Sequence, residues 1–283
     1  MISLVLNLLG IRPYLSQAGI NYQALLIFSL IWGMAGSFIS LLMSKQMVKW
    51  MYGVRIVDGD RSYQELVNIV HNLARSAGLS KMPEVGIYDA AEMNAFATGP
   101  SKNNSLVAVS QGLLNRMNRS EIEGVLGHEI AHIANGDMVT MTLIQGVVNS
   151  FVIFFARIAA FAVGQFLSRD EEGERGGFSP LVNMMLIMMF EIVFGLLGSM
   201  VTAWFSRYRE YRADAGSARY AGRGQMIAAL RRLQAETAPH PDMAAVNQLQ
   251  ISAGNKGRSR FIALFASHPA LEDRIEALEK GRV

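Results

Sequence analysis

Charged residues are spread very unevenly along this chain. Ala24 to Met43 carries none over about 20 residues, the length that crosses a bilayer. Met138 to Leu167 holds a single charge, Arg157, and Leu181 to Phe205 a single charge, Glu191. Buried core helices rarely run so far without charge, so 24–43, 138–167 and 181–205 are predicted to span a membrane. Met1 to Ile11 is also apolar, but about half the length of a span. It has neither a basic leader nor a small-residue cleavage site, so it does not read as a signal peptide. Residues 1–23 are expected to form this partial hydrophobic segment and an external loop.

Elsewhere the pattern turns amphipathic. Leu66, Ile69, Val70 and Leu73 have helical spacing within Tyr63 to Ala77, which ends near Gly78. Pro83 to Tyr88, Met93 to Thr98 and Ser105 to Val109 predict short strands, with Gly99-Pro100 as a boundary. Helices are predicted over 206–219, 225–234 and 269–278, and Asn255 to Arg260 reads as a solvated basic loop. No internal repeat is present. The fold class is mainly α with a small β-sheet: membrane helices plus a soluble domain whose two parts, 44–137 and 206–283, are split by a transmembrane hairpin.

Charge placement orients this arrangement. Lys45 and Lys49 follow the first span directly, and Arg55 and Arg61 come soon after. The loop 168–180 carries Asp170, Glu171, Glu172 and Glu174 against Arg169 and Arg175. Lys and Arg near span ends favour the cytoplasm. Both soluble parts are therefore expected inside, with the acidic loop outside. Composition agrees: 51% of residues are hydrophobic and 17% charged, too apolar for an ordinary soluble enzyme. A net charge of +3 gives no reason to expect nucleic acid. The absence of cysteine excludes disulfides and thiolate metal ligands, and suits a reducing compartment.

The candidate chemistry lies in His128-Glu129-Ile130-Ala131-His132. Two histidines four apart on a helix project from one face and can reach a single metal ion. Glu129 points to the neighbouring rim, where it can hold a water and take its proton. Ser120 is the predicted N-cap of this helix, with Glu123 at the capping-box position and Asn135-Gly136 as its stop. The other reading is a pair of core histidines. A third ligand must come from His71, His240, His268 or a carboxylate. Glu210 and Asp214 share a helix face directly after the last span. Glu210 can complete the site while Asp214 accepts a ring N–H from a ligand histidine. The alternative is a solvated helix in which both pair with Arg207, Arg209 or Arg212.

These motifs, with Ile133-Ala134-Asn135-Gly136-Asp137, Asn94-Ala95-Phe96-Ala97-Thr98-Gly99 upstream, Ser206-Arg207-x-x-Glu210-x-x-Ala213-Asp214 and the late Ser267-His268-Pro269, occur in this order over nearly the whole chain. Together they resemble the HtpX membrane zinc proteases, heat-shock quality-control enzymes related to the CAAX-prenyl endoproteases. The resemblance implies a zincin-like (gluzincin) domain with one Zn2+ per subunit on His128, His132 and Glu210. It also implies Glu129 as catalytic base and Asp214 in support. His268 is then the candidate donor to the tetrahedral intermediate, with Arg274 as a helper, although it also fits a helix-start residue before Pro269. Asn94 to Thr98 resembles the edge strand that pairs with an extended peptide, or is a plain internal strand.

The implied activity is hydrolysis of misfolded or damaged membrane proteins at the bacterial inner membrane, with the catalytic part facing the cytoplasm. The implied partners are protein substrates, the lipid bilayer and other quality-control proteases. One departure is the start: the family begins with a complete pair of N-terminal spans. Met1 to Ile11 therefore reads as a truncation or a start codon set downstream, with no site residue in it.

Three other functions fit parts of the pattern. A prenyl-protein endopeptidase would share the motifs but have more spans. A non-catalytic scaffold with a structural metal would tolerate loss of Glu129, which is intact. A transporter would need repeats and more spans. Finally, Arg157 lies eleven residues before Ser168 and Glu191 eleven after Pro180. Antiparallel helices leaving that loop place both at one depth, about 16 Å in, so they are expected to pair.

Overall fold

The computed structural model describes residues 15–16, 19–167, 180–237 and 266–282. The segment 1–11, the loop ahead of Pro180, the basic loop 255–260 and His240 lie outside the described residues. In chain order the elements are β1 (Leu15–Ser16), β2 (Gly19–Ile20), α1 (Tyr22–Met51), β3 (Arg55–Ile56), α2 (Gln64–Ser76), β4 (Glu84–Tyr88), β5 (Ala95–Ser101) and β6 (Asn104–Ser110). They continue with α3 (Gln111–Arg116), α4 (Arg119–Asn135), α5 (Asp137–Leu167), α6 (Pro180–Ser217), α7 (Arg223–Thr237) and α8 (Leu271–Glu279). The chain divides into two compact units, 40–141 with 203–283 and 1–39 with 142–202.

The first of these is built on a four-stranded sheet of order β3-β4-β6-β5, with β4 and β6 parallel and the other pairs antiparallel. Ser105 to Ser110 of β6 are all buried, the uninterrupted pattern of a strand covered on both faces. β5 is left at the edge. On α2, Leu66, Ile69, Val70 and Leu73 pack into a core with Val85, Val107 and Val109 of the sheet and Leu126, Ile130 and Ile133 of α4. Leu126 and Ile130 are fully buried, worth about 1.5–3 kcal/mol each. Their burial fixes the rotation of α4, so that His128, Glu129 and His132 emerge on the adjoining face.

Helix α4 begins two residues earlier than the sequence reading placed it. Asn118, not Ser120, is the N-cap: its Oδ1 accepts from Glu121 N at 3.0 Å, and Glu121 Oε2 accepts from Asn118 N at 2.9 Å. Both frames satisfy the cap-x-x-Glu rule. The earlier one also places Met117 just before the cap and Ile122 four after it, both packed on the core as a hydrophobic staple requires. Glu123 is left to pair with Arg119 at 3.0 Å. The predicted helix 206–219 is likewise no separate element. Nothing breaks the chain after Phe205, so α6 runs unbroken from Pro180 to Ser217 and passes through a π-helical turn, Ala218–Gly222, into α7.

The second unit inverts the usual pattern. Its three helical segments belong to α1, α5 and α6, each long and apolar enough to cross a membrane. Large side chains face outward, among them Leu26, Leu30, Phe38, Phe155, Met185 and Leu196. Ser29, Gly33, Ser37, Ser150, Ala156 and Ala160 are buried. Lipid offers no gain for burying leucines, so close backbone approach between small residues holds the helices together. A Cβ on Gly33 would meet Ser150 N at 2.4 Å.

The expected charge pair is present. Arg157 Nη1 donates to Glu191 Oε1 at 2.9 Å and to Ile153 O at 3.1 Å. Its guanidinium also lies 5.2 Å from the Phe28 ring centroid, which joins α1 to the contact. In detergent, Arg157→Leu and Glu191→Leu should each destabilise more than the double substitution, because each single leaves one charge unpaired. The single losses should fall below the usual range of about 3–5 kcal/mol for a buried pair, since the Glu191 side chain is 36% exposed. Additive losses in thermal unfolding would show that the pair carries no coupling.

Candidate metal centre

Helix α4 sets the Nε2 atoms of His128 and His132 3.1 Å apart. Helix α6 brings Glu210 over them, with Oε2 3.4 Å from His128 Nε2 and Oε1 3.4 Å from His132 Nε2. Zinc-type bonds of about 2.0–2.2 Å in a tetrahedron separate ligand atoms by about 3.3–3.6 Å. The triangle is therefore close to the size that one such ion requires. Glu210 is 1% exposed, and its Oε1 makes no short hydrogen bond among the described residues, with Arg209 Nη2 3.6 Å away. A buried carboxylate oxygen is costly unless positive charge answers it. The donor set, two imidazoles and a carboxylate, fits a divalent metal ion.

Two helices bearing such groups must approach closely, and small residues permit it. A Cβ on Gly216 would lie 2.4 Å from Ala131 Cβ, and one on Gly127 2.7 Å from Ser217 Oγ. Ser217 Oγ donates to Gly124 O at 2.7 Å at the same crossing. The signal was present as Gly124, Gly127 and Ala131 at helical spacing on α4, but the sequence reading passed over it.

Each imidazole is steered by a carboxylate behind it. His128 Nδ1 is 2.9 Å from Asp214 Oδ1, and His132 Nδ1 is 2.6 Å from Asp137 Oδ2. With Nδ1 protonated, each ring donates outward and turns its Nε2 lone pair inward. Burial opposes a charge on His128, but hydrogen bonds to Asp214 and Glu210 outweigh it and push its pKa up to about 9. Burial opposes His132 in the same way, and Asp137 and Glu210 overcome it and raise its pKa. Glu210 is held well below the carboxylate range: burial resists, but hydrogen bonds to His128, His132 and His268 prevail. The site is built to attract positive charge.

The residues singled out in the sequence largely meet here. His128, His132, Glu210 and Asp214 converge, and both carboxylates are buried rather than solvated, although Arg209 Nη2 does lie 3.6 Å from Glu210 Oε1. Glu129 Oε2 accepts from Ala97 N of the edge strand at 2.8 Å. His268 stands at the rim, its side chain 65% exposed and its Nδ1 2.8 Å from Glu210 Oε2. Arg274 is buried and grips Asp214 with Nη2 and Nε at 2.6 and 2.8 Å. Its Nη1 lies 3.6 Å from Glu210 Oε2 and its Nη2 3.3 Å from His128 Nδ1. Asp137 was missed as a ligand's partner. Its signal is Gly136, which ends α4 at φ 74° in the left-handed region and turns the chain so that Asp137 opens α5 beneath His132.

A His-Glu-x-x-His pair on one helix, completed by a buried carboxylate from a second, defines the class: a zincin-type metallopeptidase. Comparison with known proteins agrees. The model of Peptidase family M48 matches residues 60–282. Protease HtpX of Chromohalobacter salexigens is 53% identical over 283 residues, covering 99% of this chain and 93% of that protein. The Protease HtpX homolog of Bacillus subtilis (strain 168) is 48% identical over 287 residues, covering 99% and 92%. The crystal structure of S. mikatae Ste24p shares the fold with a TM-score of 0.65 at 18% identity, over 89% of this chain and 58% of that one. The chain belongs to peptidase family M48, and it is a membrane-bound metalloprotease.

Proposed function

We propose that the metal is zinc, held by His128, His132 and Glu210, and that the enzyme cuts misfolded or damaged membrane proteins. The observation that carries this reading is the buried Glu210 carboxylate facing two imidazoles at 3.4 Å. When bound, zinc acidifies a water towards a pKa of about 7 and polarises the scissile carbonyl. Glu129 takes the proton from the attacking water and passes it to the leaving amine. Its Oε2 is fixed by Ala97 N–H, which leaves Oε1 for the transfer. Asp214 and Asp137 hold the two imidazoles, and Arg274 holds Asp214. His268, anchored through Nδ1, offers its other ring nitrogen to the oxygen on which negative charge builds.

Main-chain pairing along β5 binds substrate in an extended form and reads little of its sequence, which suits a clearing protease. The enzyme works at the bacterial inner membrane with its soluble unit in the cytoplasm, beside other quality-control proteases. Lys45 and Lys49 at the end of the first span support that orientation. Relatives at 48–53% identity are named Protease HtpX, which favours this reading over a prenyl-protein endopeptidase.

Glu129→Gln should keep zinc and fold but lose cleavage of a membrane substrate by about 100-fold or more, since the amide accepts no proton. Turnover within about tenfold of wild type would sink the base assignment. The chain has no cysteine, so single cysteines report topology cleanly. In spheroplasts an impermeant maleimide should label Glu172→Cys at once and Arg282→Cys only after permeabilisation. The opposite pattern would invert the orientation.

A further inference from the structure

Between Glu191 and Glu236 the sequence holds seven arginines but only two carboxylates, Glu210 and Asp214. Both carboxylates are buried at the metal centre. Three of the arginines, Arg212, Arg219 and Arg223, recur seven and four residues apart and border one cavity of about 630 Å³. No carboxylate lines it. None of the three makes a hydrogen bond or ion pair among the described residues. Charges that could have answered them are engaged elsewhere. A Cβ on Gly281 would lie 3.7 Å from Arg223 Nη1, yet Glu276 and Glu279 in the last turn of α8 bind Lys280 and Arg231. Asn135 is also on the wall, and Asp137 two residues later faces His132.

The backbone shapes this space. Arg219 and Tyr220 belong to the π-helical turn Ala218–Gly222, and such single turns are frequent at functional sites. Gly222, at φ 117°, takes a conformation that glycine alone adopts at little cost as the chain turns into α7. Gly216 keeps the floor open: a Cβ there would lie 3.4 Å from Tyr220 Cε2. The volume falls in the range of about 300–1,000 Å³ typical of small-molecule sites.

The chemistry of the wall selects its occupant. Three unpaired guanidiniums call for an anion, and their planar forks match phosphate oxygens two at a time. A phosphate group brings close to two charges and three acceptor oxygens, so it can answer more than one arginine at once. Tyr220 and Asn135 add a hydroxyl and an amide for the remainder of a larger molecule. We propose that this cavity binds the phosphate group of a small phosphorylated molecule, at a site separate from the metal centre and independent of the peptidase reading. A soluble phosphate ester and an anionic phospholipid headgroup both carry that group. Helix rise favours the soluble source. At about 1.5 Å per residue Arg219 stands about 21 Å along α6 beyond Phe205, whereas a headgroup layer is about 5–8 Å deep.

Equilibrium binding to the full-length, metal-loaded protein in neutral detergent tests the proposal, with ATP and inorganic phosphate as probes and adenosine as the uncharged control. ATP should bind saturably and more weakly as salt rises, inorganic phosphate should compete with it, and adenosine should not bind. Arg212→Glu and Arg219→Glu should each weaken ATP binding by about tenfold or more. Arg219→Lys, which keeps the charge without the fork, should weaken it less. Lys81→Glu, which reverses an exposed cation outside the cavity, should leave it unchanged. All four variants should retain the metal, which separates this binding from capture of ATP by the metal centre. Undiminished binding in either glutamate variant overturns the proposal, and so does the absence of saturable binding by both ATP and phosphate. Displacement of ATP by dihexanoyl-phosphatidylglycerol, but not by dihexanoyl-phosphatidylcholine, would assign the site to a lipid headgroup. Displacement by neither assigns it to soluble phosphate esters.

Discussion

The soluble unit is organised around one awkward interaction, a buried carboxylate set against two buried imidazoles. Glu210 is 1% exposed and Asp214 fully buried, while His128 and His132 stand at 7% and 9%. An ionised carboxylate without water or a partner would withdraw from such a place or take up a proton. Here Glu210 keeps its charge because His268, His128 and His132 face it. Glu129, Asp137 and Asp214 add further negative charge close by, and Arg274 and Arg209 offset only part of it. The surplus suits the site to a divalent cation.

That arrangement demands rigid support, and the support comes from ordinary packing. Leu126, Ile130 and Ile133 lock one face of α4 into the core, so the ligand face cannot rotate away. Glycine and alanine at the α4–α6 crossing bring two backbones close enough for a short glutamate to reach the imidazoles. Outward of the ligands, Asp214, Asp137 and Arg274 fix ring orientations that two histidines alone would not hold. The apolar unit answers a different solvent, burying small residues and pairing Arg157 with Glu191.

Features written in local periodicity were legible in the sequence. The His-x-x-x-His spacing, the Glu210–Asp214 face and the equal offsets of Arg157 and Glu191 from their loop each follow from helix geometry. What stayed hidden depends on partners distant in sequence or on competing local rules. Asn118 and Ser120 both open a valid capping frame, and only the packing of Met117 and Ile122 chooses between them. Ala97 reaches Glu129 through its backbone, which no side-chain pattern reports. The grip of Arg274 on Asp214 stayed hidden because nothing near it in sequence announces a partner 60 residues away.

The central claim is that Glu210, carried on α6, completes the metal site begun on α4. Metal analysis of purified wild type and Glu210→Ala after dialysis against a weak chelator tests it most directly. The account predicts that the wild type keeps about one zinc per chain and that the variant loses it while retaining the helical circular dichroism of a folded protein. Full zinc occupancy in folded Glu210→Ala would contradict it and send the third ligand elsewhere.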